Sequence, residues 1–458
     1  MSANTLPGQH ARARWMRMDA ASILKRFYFC EQQLVVAQGG WLPAIAPLEA
    51  KLGLPRQLWE DALTAHALRE RVFELRFPNR LMEAGDDAPL IQMFAEARNA
   101  PSGEAFVLSL ARVFQPALLE AYRRYLAQTD DIADGPTVRI VRQAVEDKTA
   151  HIRVLEELAR EMSAGLPPAG MQQASTPPAS TLPDQAEAEA WVAALHDRLA
   201  KLGGVSLDPQ PPGITFGALP GSRPFALAVQ PARDRRFVQT RFYWPDNVES
   251  DFPYGEGLRL QLRSAISHLN EVWAVETAGA ILYVFADRLG WEFIVDAARW
   301  CYDESRHCRM GYERLRQWGF APDELPLGRY IYESAAGQDP LYRLGMLSFF
   351  EAKNIGHKTE RIRAFHEFHD DVSQHDMDYD WADETIHAHY GQKWIKALID
   401  GGYPAAAGQD VESIRARCGE LVSATARSAT PAERAALRRL AETLTAKAER
   451  VAAGALVP

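Results

Sequence analysis

The sequence has few cysteines, no long apolar segment and no excess of positive charge. Its four cysteines are too few and too scattered for a disulfide framework, and none forms a Cys-x-x-Cys pair for zinc. No run approaches the roughly 18 apolar residues of a membrane-spanning helix, and the N-terminus lacks the apolar core of a signal peptide. The net charge of −9 makes DNA and anionic membranes poor partners. These absences predict a cytoplasmic protein that binds neither DNA nor a membrane.

What is present indicates a globular, mainly α fold. The chain of 458 residues is 47% hydrophobic and 24% charged, and its length suggests two to four domains. Apolar residues recur at helical spacing over long stretches, whereas strand-like alternation is rare. The predicted helices include Ala20–Gln38, Arg56–Arg76, Ala105–Leu126, Thr137–Met162 and Gln185–Leu202. The segment Gly217–Trp244 has the most extended character.

Changes in composition divide the chain into five segments. Residues 163–184 are rich in Pro, Ala, Ser and Thr and have no apolar period, which is typical of a flexible linker. The predicted segments are a helical domain (1–162), this linker (163–184), a connector with one helix and irregular or extended chain (185–254), a second helical domain (255–402) and C-terminal helices (403–458). The last helix is expected to open at Thr430 and Pro431, residue types favoured at the N-cap and first helical position.

Two Glu-x-x-His motifs lie in the second helical domain. One runs from Glu304 to His307 and the other from Glu384 to His387. Because residues i and i+3 share one face of a helix, each motif can offer a carboxylate and an imidazole to one metal ion. Such a motif is common by chance, so neither one alone would predict a metal site.

Another glutamate precedes each motif at the same distance. The interval from Glu271 to Glu304 equals the interval from Glu351 to Glu384. Two helices joined by a turn near the middle of such an interval bring both glutamates to about the same height. The turns are expected beside Gly290 and around Asp370-Asp371.

Together these residues predict a carboxylate-bridged dinuclear metal site. The predicted ligands are Glu271, Glu304, His307, Glu351, Glu384 and His387. This oxygen-rich set with one imidazole per ion suits two iron ions, with manganese as an alternative, better than structural zinc. Asp303, Asp383 and Glu276 are candidates for supporting the ligands without binding metal. Glu276 is rotated by about 140° from Glu271 around a helix, and a ligand role for it stays open.

These residues carry a resemblance to the ferritin-like superfamily. Leu269–Gly319 and Leu344–Trp394 look like the two helix pairs of its bacterioferritins and rubrerythrins. More closely, Pro220–Trp394 resembles a bacterial ferritin-like family of unknown function that is related to tRNA hydroxylases. The shared features are Pro-Gly-x-Arg-Pro from Pro220, Glu-x-x-Ala-x-Glu from Glu271, and an Asp-Glu-x-x-His helix that ends in Gly-x-x-Trp. The chain departs from that family at Leu269, where the family often has His. The resemblance implies a ferritin-like four-helix bundle with a di-iron site.

The first helical domain is open to two interpretations. Shifting the chain on itself by 238–239 residues aligns the first domain with the second. At a shift of 238 the ligand positions fall on Gln33, His66, Arg69, Val113, Glu146 and Thr149. The domain would then be a degenerate ferritin-like repeat without metal. The other interpretation is an unrelated helical domain that forms a lid or the surface of a homodimer.

The ligand set and the resemblance imply a non-haem di-iron oxidoreductase. We expect an oxidase or oxygenase that uses O2 on an unidentified small organic or biosynthetic substrate. The alternatives are a ferroxidase or iron-handling protein, and a non-catalytic interaction protein with a relic metal site. The chain has no phosphate loop or dinucleotide fingerprint, so electrons are expected from a separate ferredoxin or reductase, or from the substrate.

Overall fold

The computed structural model of the chain describes residues 12–163, 182–208, 215 and 217–454. These residues are mainly helical, as the apolar spacing predicted. None of the helices among them combines the length and apolarity needed to cross a membrane. The chain divides into two compact units. The described residues of the first unit lie within Met1–Val35, Glu60–Ser163 and Ala179–Phe225, and those of the second lie within Val36–Trp59 and Ala226–Pro458.

Seven α-helices lie among the described residues before residue 208, and all of them except Ala88–Ala95 overlap a predicted helical stretch. In chain order they are α1 (Arg17–Trp41), α2 (Leu48–Glu74), α3 (Ala88–Ala95), α4 (Gly103–Ser109), α5 (Gln115–Leu126), α6 (Asp131–Ser163) and α7 (Leu182–Lys201). A π-helical segment, Leu110–Phe114, joins α4 to α5. Short 3-10 helices lie at Asn79–Leu81, Gly85–Asp87 and Glu96–Asn99. The last residues of α1 and the first residues of α2 are counted with the second unit.

Helices α4 to α7 pack against one another in the first unit. Helix α4 packs against α6 and α7, and α5 packs against α6. Their facing positions carry buried apolar side chains such as Phe106, Leu118, Leu155 and Trp191, as the helical period required. Most of the predicted linker, residues 164–181, lies outside the described residues.

The second unit contains the remaining helices and a minimal sheet. The helices are α8 (Leu258–Leu269), α9 (Val272–Leu289), α10 (Trp291–Gln317), α11 (Tyr330–Ser334), α12 (Leu341–Glu367), α13 (Asp371–Asp400), α14 (Val411–Arg427) and α15 (Pro431–Ala452). Short 3-10 helices lie at Pro245–Asn247, Pro322–Glu324 and Pro404–Ala406. Strands β1 (Val238–Gln239) and β2 (Pro326–Leu327) pair in parallel, with Val238 opposite Pro326. The segment predicted to be extended is therefore mostly irregular where it is described.

Four long helices of the second unit pack as two hairpins. Helices α9 and α10 form one hairpin and α12 and α13 form the other, while α10 also contacts α13 and α9 contacts α12. Gly290 ends α9 with a φ of 77°, a left-handed value that glycine adopts without strain. Asp370 caps α13 by accepting a hydrogen bond from the amide of Ser373. Both turns lie where the two equal glutamate intervals predicted them.

Glycine allows the close approach of α8 to α10. A Cβ atom at Gly311 would lie 2.4 Å from both the carbonyl oxygen of Ala265 and the amide nitrogen of Leu269. These are backbone atoms, which cannot move aside as the end of a flexible side chain can. The contact therefore fixes the end of α8 against the middle of α10, immediately before Glu271.

The C-terminal helix begins at the predicted residue. Thr430 is its N-cap and accepts a hydrogen bond from the amide of Glu433, while the Glu433 side chain bonds back to the amide of Thr430. Pro431 occupies the first helical position, where an N–H group would have no acceptor within the helix, so proline loses no hydrogen bond there.

Candidate metal centre

The six predicted ligands lie together in the second unit. Glu271 is the N-cap of α9, Glu304 and His307 form the motif of α10, Glu351 lies on α12, and Glu384 and His387 form the motif of α13. All are buried except Glu271, which is partly exposed. Each of the four long helices therefore contributes to one cluster.

The potential ligand atoms among the described residues form four overlapping groups, of which two contain Asp380 and two consist of predicted ligands alone. The following two are those made only of predicted ligands. One group joins Glu271 to the α10 motif, and the other joins Glu304 and Glu351 to the α13 motif. Within each group the atoms lie within 4.8 Å of one another. Glu304 belongs to both groups, which is the position of a carboxylate able to bridge two ions.

Each histidine is hydrogen-bonded to an aspartate on the other motif's helix, and that aspartate immediately precedes the motif's glutamate. His307 Nε2 lies 3.3 Å from Asp383 Oδ2, and His387 Nε2 lies 3.3 Å from Asp303 Oδ2. Because a carboxylate accepts, the neutral form of each imidazole carries its proton on Nε2. The unprotonated Nδ1 atoms then face the glutamates. Both Nδ1 atoms are buried, and neither makes a hydrogen bond within the described part of the chain.

Two arginines fix these aspartates. Arg306 Nη1 donates to both Asp303 Oδ1 and Asp383 Oδ2 at 2.8 Å. Arg299 Nε donates to Asp303 Oδ2 at 2.6 Å. Burial raises the pKa of Asp383, but its contacts with His307 and Arg306 outweigh that effect and lower the pKa below its ordinary value. The carboxylate that orients His307 is therefore charged at neutral pH.

Carboxylate oxygens surround the free Nδ1 atom of His307. Asp380 Oδ1 lies at 3.4 Å, Glu271 Oε2 and Glu304 Oε2 at 3.6 Å, and Glu384 Oε1 at 3.8 Å. Two donor atoms about 2.1 Å from one ion lie about 3.0–3.4 Å apart at octahedral to tetrahedral angles. The observed separations are close to that range, so a small contraction would let several of these atoms share an ion.

The surroundings of His387 are similar. Its Nδ1 atom lies 3.2 Å from Glu304 Oε1 and 3.8 Å from Glu351 Oε1. Burial lowers the pKa of His387, but the neighbouring acids, Asp303 first, outweigh it and raise the pKa to about 9. Burial and then the charge of Glu384 raise the pKa of Glu351 well above its ordinary value. Without a cation, the cluster favours extra protons.

The charge of the whole cluster shows how much positive charge it can accept. It contains seven carboxylates and three cationic groups, so its net charge is −4 when both imidazoles are neutral. The carboxylates belong to Glu271, Asp303, Glu304, Glu351, Asp380, Asp383 and Glu384, and the cations are Arg299, Arg306 and Lys358. Two divalent ions would balance this charge, which is otherwise unfavourable in a buried site.

The sequence interpretation missed five residues of this cluster, namely Arg299, Arg306, Lys358, Asp380 and His268. Lys358 Nζ lies 2.6 Å from Asp380 Oδ1 and 3.0 Å from Glu384 Oε1, and His268 Nε2 lies 3.1 Å from Asp380 Oδ2. Two of them follow helical spacing that could have revealed them. Asp380 lies four residues before Glu384, and Lys358 lies seven residues after Glu351, so each shares a face with a predicted ligand.

Glu276 does not support the cluster as expected. Its carboxylate is fully buried and forms ion pairs with Lys51 and Arg233. The five residues between Glu271 and Glu276 rotate its side chain by about 140° to a different side of α9. Asp303 and Asp383, in contrast, do contact the histidines of the cluster.

A cavity of about 600 Å³ opens beside the cluster. Its wall includes the four glutamates Glu271, Glu304, Glu351 and Glu384, together with Lys358. Aromatic side chains also line it, among them Trp273, Phe349, Phe350, Tyr243, Tyr254 and Tyr330. This volume is typical of sites for small organic molecules.

Comparison with known proteins gives one match. Residues 224–413 match the model of a family described as a protein of unknown function (DUF455). The matched segment is less than half of the chain, but it contains all six predicted ligands and the aspartates that hold the histidines. No curated protein and no solved structure matches the chain.

Proposed function

We propose that residues 255–402 form a ferritin-like four-helix bundle that binds two iron ions. Two helical hairpins supply two single glutamates and two Glu-x-x-His motifs, which is the ligand set of di-iron bundles. The observation that carries the proposal is the pair of crossed Asp–His hydrogen bonds. Ligand histidines are commonly oriented in this way, with the other ring nitrogen directed at the metal. The buried Nδ1 atoms and Glu271 Oε2, which make no hydrogen bond among the described residues, also suit a metal.

The two ions would have related but unequal ligands. Glu271 and His307 would hold one ion, Glu351 and His387 the other, and Glu304 and Glu384 are available to both. Only the first ion would have a charged Asp380 close to its histidine. Lys358 and His268 already engage both oxygens of that aspartate, so we assign it to balancing charge rather than to binding the ion.

We propose that this centre oxidises a small organic molecule with O2. Bound as a ferrous pair, the metals would supply the electrons and coordination sites that O2 activation requires. The chain holds the carboxylates in place, since Trp300 Nε1 donates to Glu304 Oε1 at 3.1 Å and Lys358 Nζ contacts Glu384 Oε1. The adjoining cavity supports organic oxidation over iron storage because it gives a substrate access to the ligands. A ferredoxin or reductase would return the electrons unless the substrate provides them.

Metal analysis and O2 uptake together test this proposal. We expect about two iron ions per chain in protein produced with iron, and loss of that iron in the variant His387→Ala. His389→Ala is the matched control, because His389 is exposed on the same helix. After reduction, the wild type should consume O2 in proportion to its bound iron and form an organic product in the presence of substrate. Iron loading far beyond two ions per chain, or full iron content in His387→Ala, would contradict the proposal.

A further inference from the structure

We propose that the cavity beside the candidate metal centre binds an organic oxyanion, a carboxylate or a phosphate, through Tyr254, Arg263 and Arg361. The inference rests on the proposed function in one respect, since it takes this cavity as the substrate site. It adds the chemical class of the substrate and the residues that would select it.

The two arginines flank one aromatic ring in the wall of the cavity. The guanidinium carbon of Arg361 lies 4.2 Å from the ring centroid of Tyr254, and that of Arg263 lies 4.7 Å from it. All three side chains line the same cavity as the glutamates of the metal centre. Stacking on the ring holds the two positive groups near each other despite their repulsion.

Donor groups at this position lack an acceptor. Arg263 uses Nε and Nη2 on Asp246, at 2.7 and 3.0 Å, but its Nη1 is buried without a hydrogen-bond partner in the described part of the chain. The hydroxyl of Tyr254 is buried and unpaired within the same residues. Leaving a buried donor without an acceptor is unfavourable, so the site is prepared for a ligand that accepts hydrogen bonds.

The local charge favours an anion over a neutral acceptor. Asp246 balances Arg263, whereas Arg361 forms no ion pair with any described residue. Lys353 and Arg427 also line the cavity, and neither forms an ion pair within the described ranges. Two bound divalent ions would cancel the charge of the four glutamates in the wall. Glu249, another acid in the wall, is paired with Arg438, so the remaining wall would keep a net positive charge, and an oxyanion can pair with a guanidinium.

The wall of the cavity also offers a surface for an apolar or aromatic body. Trp273 and Phe350 line the cavity with their ring centroids 5.1 Å apart. A substrate with its oxyanion at Tyr254 would present the other end of an apolar body toward the metal ligands. The oxyanion would therefore orient the substrate, and the metals would act on the part remote from it.

Probes that share a ring and differ in charge test this inference. Binding of indole-3-acetate, phenyl phosphate and tryptamine to the full chain, loaded with Mn²⁺, would be measured by equilibrium dialysis. We expect at least one of the two anions to bind tenfold or more tightly than tryptamine, and the stronger one identifies the preferred oxyanion. Arg361→Gln and Tyr254→Phe should each weaken that anion at least fivefold. Arg363→Gln should not, because Arg363 is exposed on the same helix and does not line the cavity.

The controls separate failure of this inference from failure of the proposed function. Metal content measured in the same samples tests the proposed function independently. Equal or tighter binding of tryptamine, or no binding of any probe, would overturn the inference even when two metals are present. An anion preference that survives both substitutions would also overturn it, because the metals rather than these side chains would then hold the anion.

A different observation, in the first unit alone, carries a second inference. We infer that this unit contains a degenerate copy of the metal centre in which the ammonium of Lys148 takes the place of the metal ions. Lys148 Nζ lies 2.7 Å from both Glu31 Oε2 and Asp61 Oδ1, and His151 Nδ1 lies 3.2 Å from Asp61 Oδ1. All four residues are buried.

The spacing of this cluster on α5 and α6 repeats that of the ligands on α12 and α13. Lys148 and His151 are three residues apart on α6, as are the two members of the α13 motif. Gln115 precedes Lys148 by the same interval that separates Glu351 from Glu384. A single shift of the chain thus places these three residues on the ligand positions of α12 and α13. Glu31 on α1 and Asp61 on α2 provide the carboxylates of the other two helices.

The shift of 238 residues is therefore the wrong register for these helices. It placed Glu146 and Thr149 on the α13 motif, yet both side chains are exposed. A change of two residues in the shift rotates each aligned position by about 200° around its helix, so it exchanges inward-facing and outward-facing positions. The burial of charged side chains identifies the inward-facing positions that the apolar pattern left uncertain.

The ammonium of Lys148 supplies positive charge and carboxylate contacts at the position that metal ions would occupy in the second unit. Its ammonium joins two carboxylates from different helices, as a bridging ion would. The remaining oxygens are also engaged, since Tyr122 donates to Glu31 Oε1 at 2.5 Å and Gln115 Nε2 donates to Asp61 Oδ2 at 2.9 Å. All four oxygens of the two carboxylates are thereby paired without metal, which explains how these charges can be buried there.

Exchange of the lysine for a carboxylate tests this inference in the full chain. We expect Lys148→Glu to bind at least one Mn²⁺ ion per chain more than the wild type in the same dialysis. Thr149→Glu is the matched control, because it adds the same carboxylate at an exposed position of α6 and should gain none. Added Mn²⁺ should also raise the unfolding temperature of Lys148→Glu by several degrees more than that of Thr149→Glu.

A second variant tests the inference if the new carboxylate prevents folding. Lys148→Gln removes the ammonium without adding charge, and Mn²⁺ should stabilise it where the wild-type cluster gains nothing. A folded pair of variants that neither binds extra metal nor is stabilised by it would overturn the inference. Failure of both variants to fold with or without Mn²⁺ would equally overturn it, because the ammonium would then not be exchangeable for a metal.

Discussion

Replacing Glu276 with glutamine should destabilise the chain without removing its metals. The carboxylate is buried among Lys51 and both terminal nitrogens of Arg233. Glutamine keeps the shape of the side chain but leaves two buried cations without a counter-charge. Removing one partner of a buried ion pair costs about 3–5 kcal/mol, so we expect the free energy of unfolding to fall by about that amount.

The pH dependence of this loss follows from Lys51. Burial lowers the pKa of Lys51 to about 8, although the attraction of Glu276 opposes the shift. Without Glu276 the pKa should fall further, so Lys51 loses its proton at a lower pH in the folded variant. A depressed lysine pKa makes the folded state bind fewer protons, so stability rises with pH through that range. The difference between wild type and Glu276→Gln should therefore be smaller at pH 9 than at pH 7.

Urea unfolding of metal-free protein, followed by circular dichroism, measures this prediction. Glu271→Gln is the matched comparison, because its carboxylate lies five residues earlier in the chain but among other acids. Burial and the charge of Asp380 raise the pKa of Glu271 well above its ordinary value, so neutralising it should not destabilise the metal-free fold. Glu271→Gln should instead lose metal. Adding Lys51→Met to Glu276→Gln should recover part of the lost stability.

Two results would refute this reasoning. Wild-type stability in Glu276→Gln would mean that the ion pairs are not formed or are not buried. Loss of metal in Glu276→Gln together with full metal in Glu271→Gln would mean that the ligand on this helix has been assigned five residues too early. Both variants differ from the wild type by one neutral amide, so their comparison does not depend on side-chain size.

Three further predictions follow from the same contacts. Asp303→Asn and Asp383→Asn should each weaken iron binding about 10–100-fold in competition with a chelator, because the histidines lose their orienting acceptor. Burial lowers the pKa of His151, but Asp61 outweighs it and raises the pKa to about 9. This group stabilises the fold by about 3 kcal/mol below pH 6.5, and the contribution disappears as pH rises through 9, so urea unfolding of wild type and His151→Gln should converge there. Gly311→Ala should lower the free energy of unfolding by about 3 kcal/mol or more, whereas Gly356→Ala, in open space, should raise it slightly.

Local pattern made most of the helices predictable. The apolar period placed both ends of α1 and α7 to within three residues, because burial of one helix face requires that spacing whatever lies opposite. It located α2, α5 and α6 but misplaced the residues at which they begin. Turn and cap residues were equally informative. Gly290 ends α9 because glycine adopts a positive φ without strain. Thr430 and Pro431 begin α15 because the threonine side chain accepts a hydrogen bond from a free amide of the first turn and proline has no amide hydrogen there.

The candidate ligands were predictable for a similar reason. Glu304 with His307, and Glu384 with His387, share a helix face by spacing alone, and the two equal intervals between glutamates matched the length of a helical hairpin. The structure brings all of the predicted ligands into one cluster. Iron binding and reaction with O2 stay predictions that the experiments above would test.

The sequence by itself determined which residues could form helices, where the two hairpins turn and which side chains could face a common metal centre. These properties depend on neighbours within one or two helical turns. Only the tertiary structure decided the partners of charged side chains from distant segments. It separated Glu276, paired with Lys51 across 225 residues of chain, from the metal cluster, and it placed Lys148 between Glu31 and Asp61. Such pairs arise because a buried charge is unfavourable without a counter-charge. The counter-charge comes from whichever segment the fold places beside it, and this cannot be read from sequence spacing.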